Sequence, residues 1–183
     1  FLPFVIHDIK PTDRVGVVGI GGLGHLAVKF ARAWGCEVTA FTSTASKREE
    51  ALLLGAHHTI SSVDVKELKS IAGTLDFLLV TVGASLEWDA LIATLAPKGR
   101  LHMVGVVTEA MKVRTSGLLS WQRSLSASPT PSPVVLTQMM EFCARHGIAP
   151  QVEHFPMGKV NDALDHLRSG KARYRVVLDA DFA

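Results

Sequence analysis

Apolar runs alternate with helical spacing through most of the chain, and this pattern sets out the elements. Arg14 to Gly19 is nearly all apolar and predicts a buried strand over about 14–20. Leu23, Leu26, Ala27, Phe30, Ala31 and Trp34 then fall on one face of a predicted helix over 22–34, closed by Gly35. A second strand is predicted over 37–42. Ser43-Thr44-Ala45-Ser46 supplies cap chemistry for a helix that reaches Leu54 and stops at Gly55. A short strand over 58–61 and a weak helix over 63–71 follow. Next come an apolar strand over 75–82 and a helix over 86–95 with Leu86, Leu91, Ile92 and Leu95 inward. Pro97-Lys98-Gly99 turns the chain into a strand over 100–107.

Strands without polar alternation, separated by helices, predict a parallel sheet covered on both faces: an α/β, doubly wound fold. The pattern loosens after residue 108. Residues 112–124 predict a short edge strand and a one- or two-turn helix, and Leu125 to Ser128 a sixth strand. Pro129-Thr130-Pro131-Ser132-Pro133 interrupts any element, and Pro133 opens a helix running to His146. A short β-α-β tail follows, with strands over 152–155 and 173–178 and a helix over 159–168. The expected organisation is an entry segment at 1–13, the doubly wound domain at 14–147, and a tail at 148–183.

The junction between the first strand and the first helix reads Gly19-Ile20-Gly21-Gly22-Leu23-Gly24. Strand, glycine turn and helix in that order form the dinucleotide fingerprint of a Rossmann fold. Gly19 permits the tight turn. Gly21 and Gly22, without side chains, let a pyrophosphate reach the backbone, beside Leu23. Gly24 lets the helix pack closely on the sheet. The helix start then presents free N–H groups and a positive dipole end to the phosphates.

Composition narrows the classes. The chain has 183 residues, 48% of them hydrophobic and 20% charged, with net charge +2, so it is a globular sequence. Basic residues are mixed with acids, which gives no case for a nucleic-acid partner. No apolar run has the length of a membrane span. The apolar opening is cut by His7 and Asp8 and has no basic leader, so it does not read as a signal peptide. The start at Phe1 rather than Met reads as a fragment or trimmed product. Cys36 and Cys143 form no Cys-x-x-Cys pair and predict small buried residues in a reducing, cytoplasmic setting. The eight histidines show no metal-ligand spacing; His146 and His154 come nearest. All eight are expected at the surface.

The end of the second strand decides between nucleotides. An NAD site places an acid there to hold the ribose hydroxyls. This chain has Thr42, Ser43 and Thr44, with Lys47 and Arg48 just beyond. Hydroxyls and cations without a carboxylate predict a 2′-phosphate, hence NADP(H). The carboxyl ends of the later strands supply the nicotinamide side: Thr81, Val82 and Gly83; Val104, Gly105 and Val106; and Ser128, with Thr130 beyond it. Thr81 and Ser128 are expected to hydrogen-bond the nicotinamide, and the backbone at 104–106 to meet its carboxamide. No catalytic constellation is visible; the only tyrosine, Tyr174, precedes Arg175 and makes no Tyr-x-x-x-Lys.

Val-Val-Gly-Ile-Gly-Gly-Leu-Gly-His at 17–25, Phe-Thr-Ser-Thr-Ala-Ser-Lys-Arg-Glu-Glu-Ala at 41–51, Ala-Pro-Lys-Gly-Arg-Leu at 96–101, Met-Gly-Lys-Val-Asn-Asp-Ala at 157–163 and Lys-Ala-Arg-Tyr-Arg-Val-Val-Leu at 171–178 resemble zinc-dependent alcohol dehydrogenases. The resemblance is to the C-terminal, cofactor-binding half of the medium-chain dehydrogenase/reductase family, in its cinnamyl alcohol dehydrogenase-like branch. It implies an NADP-dependent oxidoreductase of alcohols and aldehydes. It implies zinc ligands upstream of Phe1, a tail that packs on a catalytic domain outside this chain, and a homodimer through an edge strand near 112–128. Where the family usually carries glycines after the sixth strand, this chain has Ala127-Ser128-Pro129-Thr130-Pro131-Ser132. The isolated chain is then expected to bind NADP(H) without turnover. Two alternatives stand beside this reading: a zinc-free quinone-oxidoreductase-like enzyme fragment, and a stand-alone NADPH-binding module.

Overall fold

A computed structural model of the chain describes residues 1–181 and divides it into two compact units, Phe1–Ile148 and the stretch from Ala149 onward. In the first unit the order is α1 (Leu2–Ile6), β1 (Arg14–Val18), α2 (Gly24–Trp34), β2 (Glu37–Thr42), α3 (Ser46–Leu53), β3 (His58–Ser61), α4 (Val65–Ser70), β4 (Leu75–Val80), α5 (Trp88–Ala93), β5 (Leu95–Met103), α6 (Thr115–Leu119), β6 (Ser124–Ala127) and α7 (Pro133–His146). The second unit holds β7 (Val152–Pro156), α8 (Val160–Arg168) and β8 (Arg175–Asp179).

The six strands of the first unit form one parallel sheet in the order β3-β2-β1-β4-β5-β6. The chain moves outward from β1 in one direction and then returns to start β4 on the other side. That reversal opens a crevice beyond the carboxyl ends of β1 and β4, where ligands bind in such sheets. The central strands are apolar because both their faces are covered: Val15, Val17, Phe77, Leu78, Leu79 and Val80 are all buried. Phe41, Leu68, Leu91, Ile92, Leu95 and Leu101 extend this core. Among the described residues no helix is long and apolar enough to cross a membrane.

Several expectations change. The entry segment contains α1, whose Pro3 is tolerated in the first turn and whose Phe4 is fully buried against Trp34 and Phe77. Helix α2 buries Gly24, His25, Ala27, Val28, Phe30 and Ala31, while Leu23 is half exposed. The apolar stripe is thus rotated from the one expected. Helix α5 is shorter than 86–95, and Leu95 belongs to β5. Pro97-Lys98-Gly99 lies within β5 as an irregularity: Leu75 pairs with Leu95, but Phe77 pairs with Arg100. Residues 112–123 contain α6 and no strand, so the edge of the sheet is β6. Histidines 25 and 102 are fully buried, contrary to the surface placement expected for all eight.

The second unit pairs β7 with β8 in parallel, joined through α8. Ala163 and Tyr174 are its buried side chains.

Candidate functional site

The glycine turn is held by backbone geometry. Gly19 sits at φ +89°, a left-handed conformation that glycine adopts without strain. Its N–H donates to Phe41 O at 3.0 Å. Gly24 lies almost against the turn: a Cβ there would stand 1.7 Å from Gly19 O. Thr81, just after β4, donates its hydroxyl hydrogen to the carbonyls of Gly19 (2.8 Å) and Val18 (3.1 Å). His25, in the first turn of α2, places Nδ1 3.0 Å from Gly21 O. Both side chains hold the turn in place from beneath. A Cβ on Gly21, by contrast, would meet nothing within 4 Å. The open side of the turn therefore faces the crevice at the start of α2, where the His25 and Ala27 N–H groups already donate to Gly21 O and Leu23 O, at 3.0 Å each.

Two clefts meet at this turn. The first, about 430 Å³, is lined by Gly19, Gly21, Gly22, Leu23, Thr42, Ser43, Thr44, Lys47, Thr81 and Val82 among the expected residues. Ser62, Ala84 and Ser85 line it as well and escaped the sequence reading. Ser62 follows β3 as Ser43 follows β2, so strand-end position was the available signal. The second cleft, about 500 Å³, brings together Leu23, Thr81, Val104, Val106, Ser128 and Thr130. Its remaining wall is apolar and includes Leu26, Phe30, Leu136 and Met139. Leu23 and Thr81 line both clefts.

Four expected residues take other places. Gly24 lies under the turn. Arg48 turns away from Lys47 and makes a forked pair with Glu67, at 2.7 and 2.9 Å. Glu67 also accepts the Ser61 N–H at 2.7 Å. The Arg48 hydrogen bonds, then the one from Ser61, hold the Glu67 carboxyl below the usual carboxylate range. Arg48 therefore ties α3 to α4. Gly83 and Gly105 line neither cleft. They let the loops after β4 and β5 touch: a Cβ on Gly105 would stand 2.3 Å from Val82 O, and one on Gly83 2.7 Å from Val106 O. Thr42 is also partly committed, since its Oγ1 accepts the Thr44 N–H at 3.1 Å. That bond shapes the loop presenting Ser43, Thr44 and Lys47.

A buried polar cluster adjoins the second cleft. His102 Nε2 lies 2.9 Å from Ser128 Oγ, and its Nδ1 lies 2.8 Å from Ser126 Oγ and 2.9 Å from His7 Nε2. The other ring nitrogen of His7 meets the Arg100 guanidinium. Burial first, then repulsion from His7 where that ring is protonated, then the Arg100 charge, push His102 down to about 4. Burial and then Arg100 also lower His7. Both rings are neutral near pH 7.

Among the described residues no three His, Cys, Asp or Glu side chains are grouped to hold a metal ion.

Residues 22–145 match the family model described as zinc-binding dehydrogenase. The chain belongs to the zinc-binding dehydrogenase family. It is 52% identical over 178 residues to aldehyde reductase AdhA of Synechocystis, covering 97% of this chain and 53% of that protein. Its fold matches cinnamyl alcohol dehydrogenase SbCAD4 of Sorghum bicolor with a TM-score of 0.94 at 34% identity, over 98% of this chain and 51% of that one. It matches the Helicobacter pylori CAD complexed with NADP(H) at TM-score 0.86 and 27% identity, covering 97% and 51%. It also matches the Geotrichum candidum acetophenone reductase in complex with NAD at 0.87 and 25%, covering 99% and 52%. The chain spans about half the length of the curated relatives it matches. The parallel six-stranded Rossmann architecture expected from the sequence is the one these dehydrogenases share.

Proposed function

We propose that this zinc-binding dehydrogenase chain holds NADP(H) across the two clefts. It would form the cofactor-binding half of an oxidoreductase that moves hydride between the nicotinamide and an alcohol or aldehyde. The observation that carries the reading is the open glycine turn at the start of α2, with an acid-free hydroxyl and lysine loop beside it. The pyrophosphate would lie over Gly21 and Gly22 at the positive end of the helix. Ser43, Thr44 and Lys47 would bind the 2′-phosphate, and the second cleft would take the nicotinamide ring. The bound nicotinamide supplies the hydride chemistry. The chain's residues bind it, orient it, and cover one face with the apolar wall of Leu26, Phe30 and Met139. The named relatives favour alcohol and aldehyde chemistry over a quinone reductase.

Titration calorimetry tests the nucleotide. NADPH is expected to bind at least tenfold tighter than NADH. Lys47→Ala removes one charge-assisted phosphate contact and is expected to weaken NADPH about tenfold, with NADH unchanged. Equal affinity of the unmutated chain for the two nucleotides would overturn the assignment.

The same reading places residues 148–183 with a catalytic domain. A two-stranded sheet with one helix is too small to build its own core, and Leu164 and Leu167 on α8 stay exposed. It also places the chain in the cytoplasm, supported by two free thiols; burial pushes that of Cys36 up to about 11. A homodimer would form through β6, whose outer edge carries unpaired backbone groups. Sedimentation at tens of micromolar is expected to show a dimer; a monomer throughout would remove this part.

A further inference from the structure

The cluster beside the second cleft has a direction. A guanidinium only donates hydrogen bonds. Arg100 stands against Nδ1 of His7, so that nitrogen must carry a lone pair. A neutral ring then has its hydrogen on Nε2, which faces His102 Nδ1 at 2.9 Å. His102 Nδ1 therefore accepts, and the hydrogen of this ring resides on Nε2. That N–H donates to Ser128 Oγ at 2.9 Å. The Ser128 oxygen is thus supplied with a donor, and its own hydrogen is left for an acceptor elsewhere. Ser126 Oγ, 2.8 Å from His102 Nδ1 and 3.4 Å from His7 Nε2, competes with the His7 N–H for that one lone pair, and with either donor the nitrogen accepts. Phe77 stacks on the His102 ring at 5.9 Å between centroids and helps fix its plane.

We propose that Arg100, His7 and His102 form a one-way hydrogen-bond relay that sets Ser128 as a donor in the second cleft, matched to the carboxamide oxygen of a nicotinamide. This rests on the reading of that cleft as the nicotinamide end. Arg100 is permanently charged, so the polarity does not depend on chance ring orientation. His102 is a positioning residue: it acts on the ligand only through Ser128. A ligand whose ring substituent lacks an acceptor would gain nothing from this arrangement.

Two measurements test it. Nitrogen-15 NMR of ring-labelled histidine in the full chain is expected to show both His7 and His102 with the hydrogen on Nε2. A hydrogen on Nδ1 of His102 would overturn the relay whatever the chain binds. Calorimetry then compares NADPH with 2′-phospho-ADP-ribose, which lacks the nicotinamide. Ser128→Ala is expected to weaken NADPH about fivefold, the worth of one hydrogen bond, and to leave 2′-phospho-ADP-ribose unchanged. The 3-acetylpyridine analogue, which keeps the carbonyl oxygen and lacks the amide NH2, is expected to show the same fivefold loss. His102→Leu should match Ser128→Ala, and the double variant should lose no more than either. His102→Gln, which returns an N–H near Nε2, should recover most of the affinity. If His102→Leu does not fold, Ser128→Ala and His102→Gln still decide. Equal losses for NADPH and 2′-phospho-ADP-ribose, or no loss for either, would overturn the role of Ser128. Failure of the unmutated chain to bind both ligands would instead overturn the nucleotide reading, and with it the ligand named here.

Discussion

Gly24→Ala is expected to melt the first unit about 10 °C lower and to abolish nucleotide binding with it. The added Cβ would stand 1.7 Å from Gly19 O and 2.8 Å from Gly19 C, both backbone atoms of the tight turn. No rotamer change relieves a clash with backbone. The helix start must move off the sheet or the turn must open, and overpacking of this kind costs about 3 kcal/mol or more. At 2–4 °C per kcal/mol for a chain of this size, that is roughly 10 °C. The informative partner is Gly21→Ala, whose Cβ would meet nothing within 4 Å. Its fold should be unaffected, within about 0.5 kcal/mol. NADPH binding should nevertheless be lost, because the methyl group takes the space over the turn that a phosphate needs. Thermal denaturation and calorimetry on the two variants separate the roles. Parent-like melting of Gly24→Ala would place the helix start elsewhere. Parent-like NADPH binding by Gly21→Ala would take the phosphates off this turn.

The glycine turn was legible because its demands fall on the backbone, and only glycine meets them in this order. The parallel sheet was legible for a related reason: strands buried on both faces read as unbroken apolar runs, as in Leu75 to Val80. What escaped depended on partners distant in sequence. Lys47 and Arg48 are adjacent, but successive helical positions point about 100° apart. One lines the cleft while the other reaches Glu67, and nothing local to the pair decides which. The stripe of α2 shifted for the same reason. Its leading leucines line clefts, and His25 goes inside because Gly21 O offers it a partner. His102 did carry a signal. A polar ring within the apolar run from Leu101 to Val107 in a covered sheet must find hydrogen bonds, and the serines at 126 and 128 recur at the period of the neighbouring strand. The bulge in β5 had only Pro97-Lys98-Gly99 to announce it, and that motif reads equally as a turn between elements.

Acidification from pH 7 to 4 should destabilise the first unit by about 3 kcal/mol through His102 alone. In the unfolded chain this ring titrates near 6.5; in the fold it is pushed down to about 4, by burial and then by His7 and Arg100. Between those values the unfolded chain binds the extra proton, so stability rises with pH and is lost as pH falls. From about 6.5 down to about 4, at roughly 1.4 kcal/mol per pH unit, the loss comes to about 3 kcal/mol, with about 2 kcal/mol gone by pH 5. Below pH 4 the folded ring is protonated too and the contribution levels off. His7, lowered in the same direction, adds to the loss over the upper part of the window. The depressed carboxyl of Glu67 acts later, as pH falls below its usual range near 4.5. Urea unfolding at pH 7, 6 and 5 should therefore show a falling midpoint in the parent chain. His102→Gln should fall distinctly less over the same steps, keeping only the loss due to His7, His57 and the Phe1 amino group. A parent chain equally stable at pH 7 and pH 5 would mean that the ring is solvated or paired differently. The same proton also acts on the relay. A second N–H on His102 would face the Nε2 hydrogen of His7, two donors with no lone pair between them. The Nε2–H that donates to Ser128 survives in the imidazolium, so the proton breaks the relay at the His7–His102 contact.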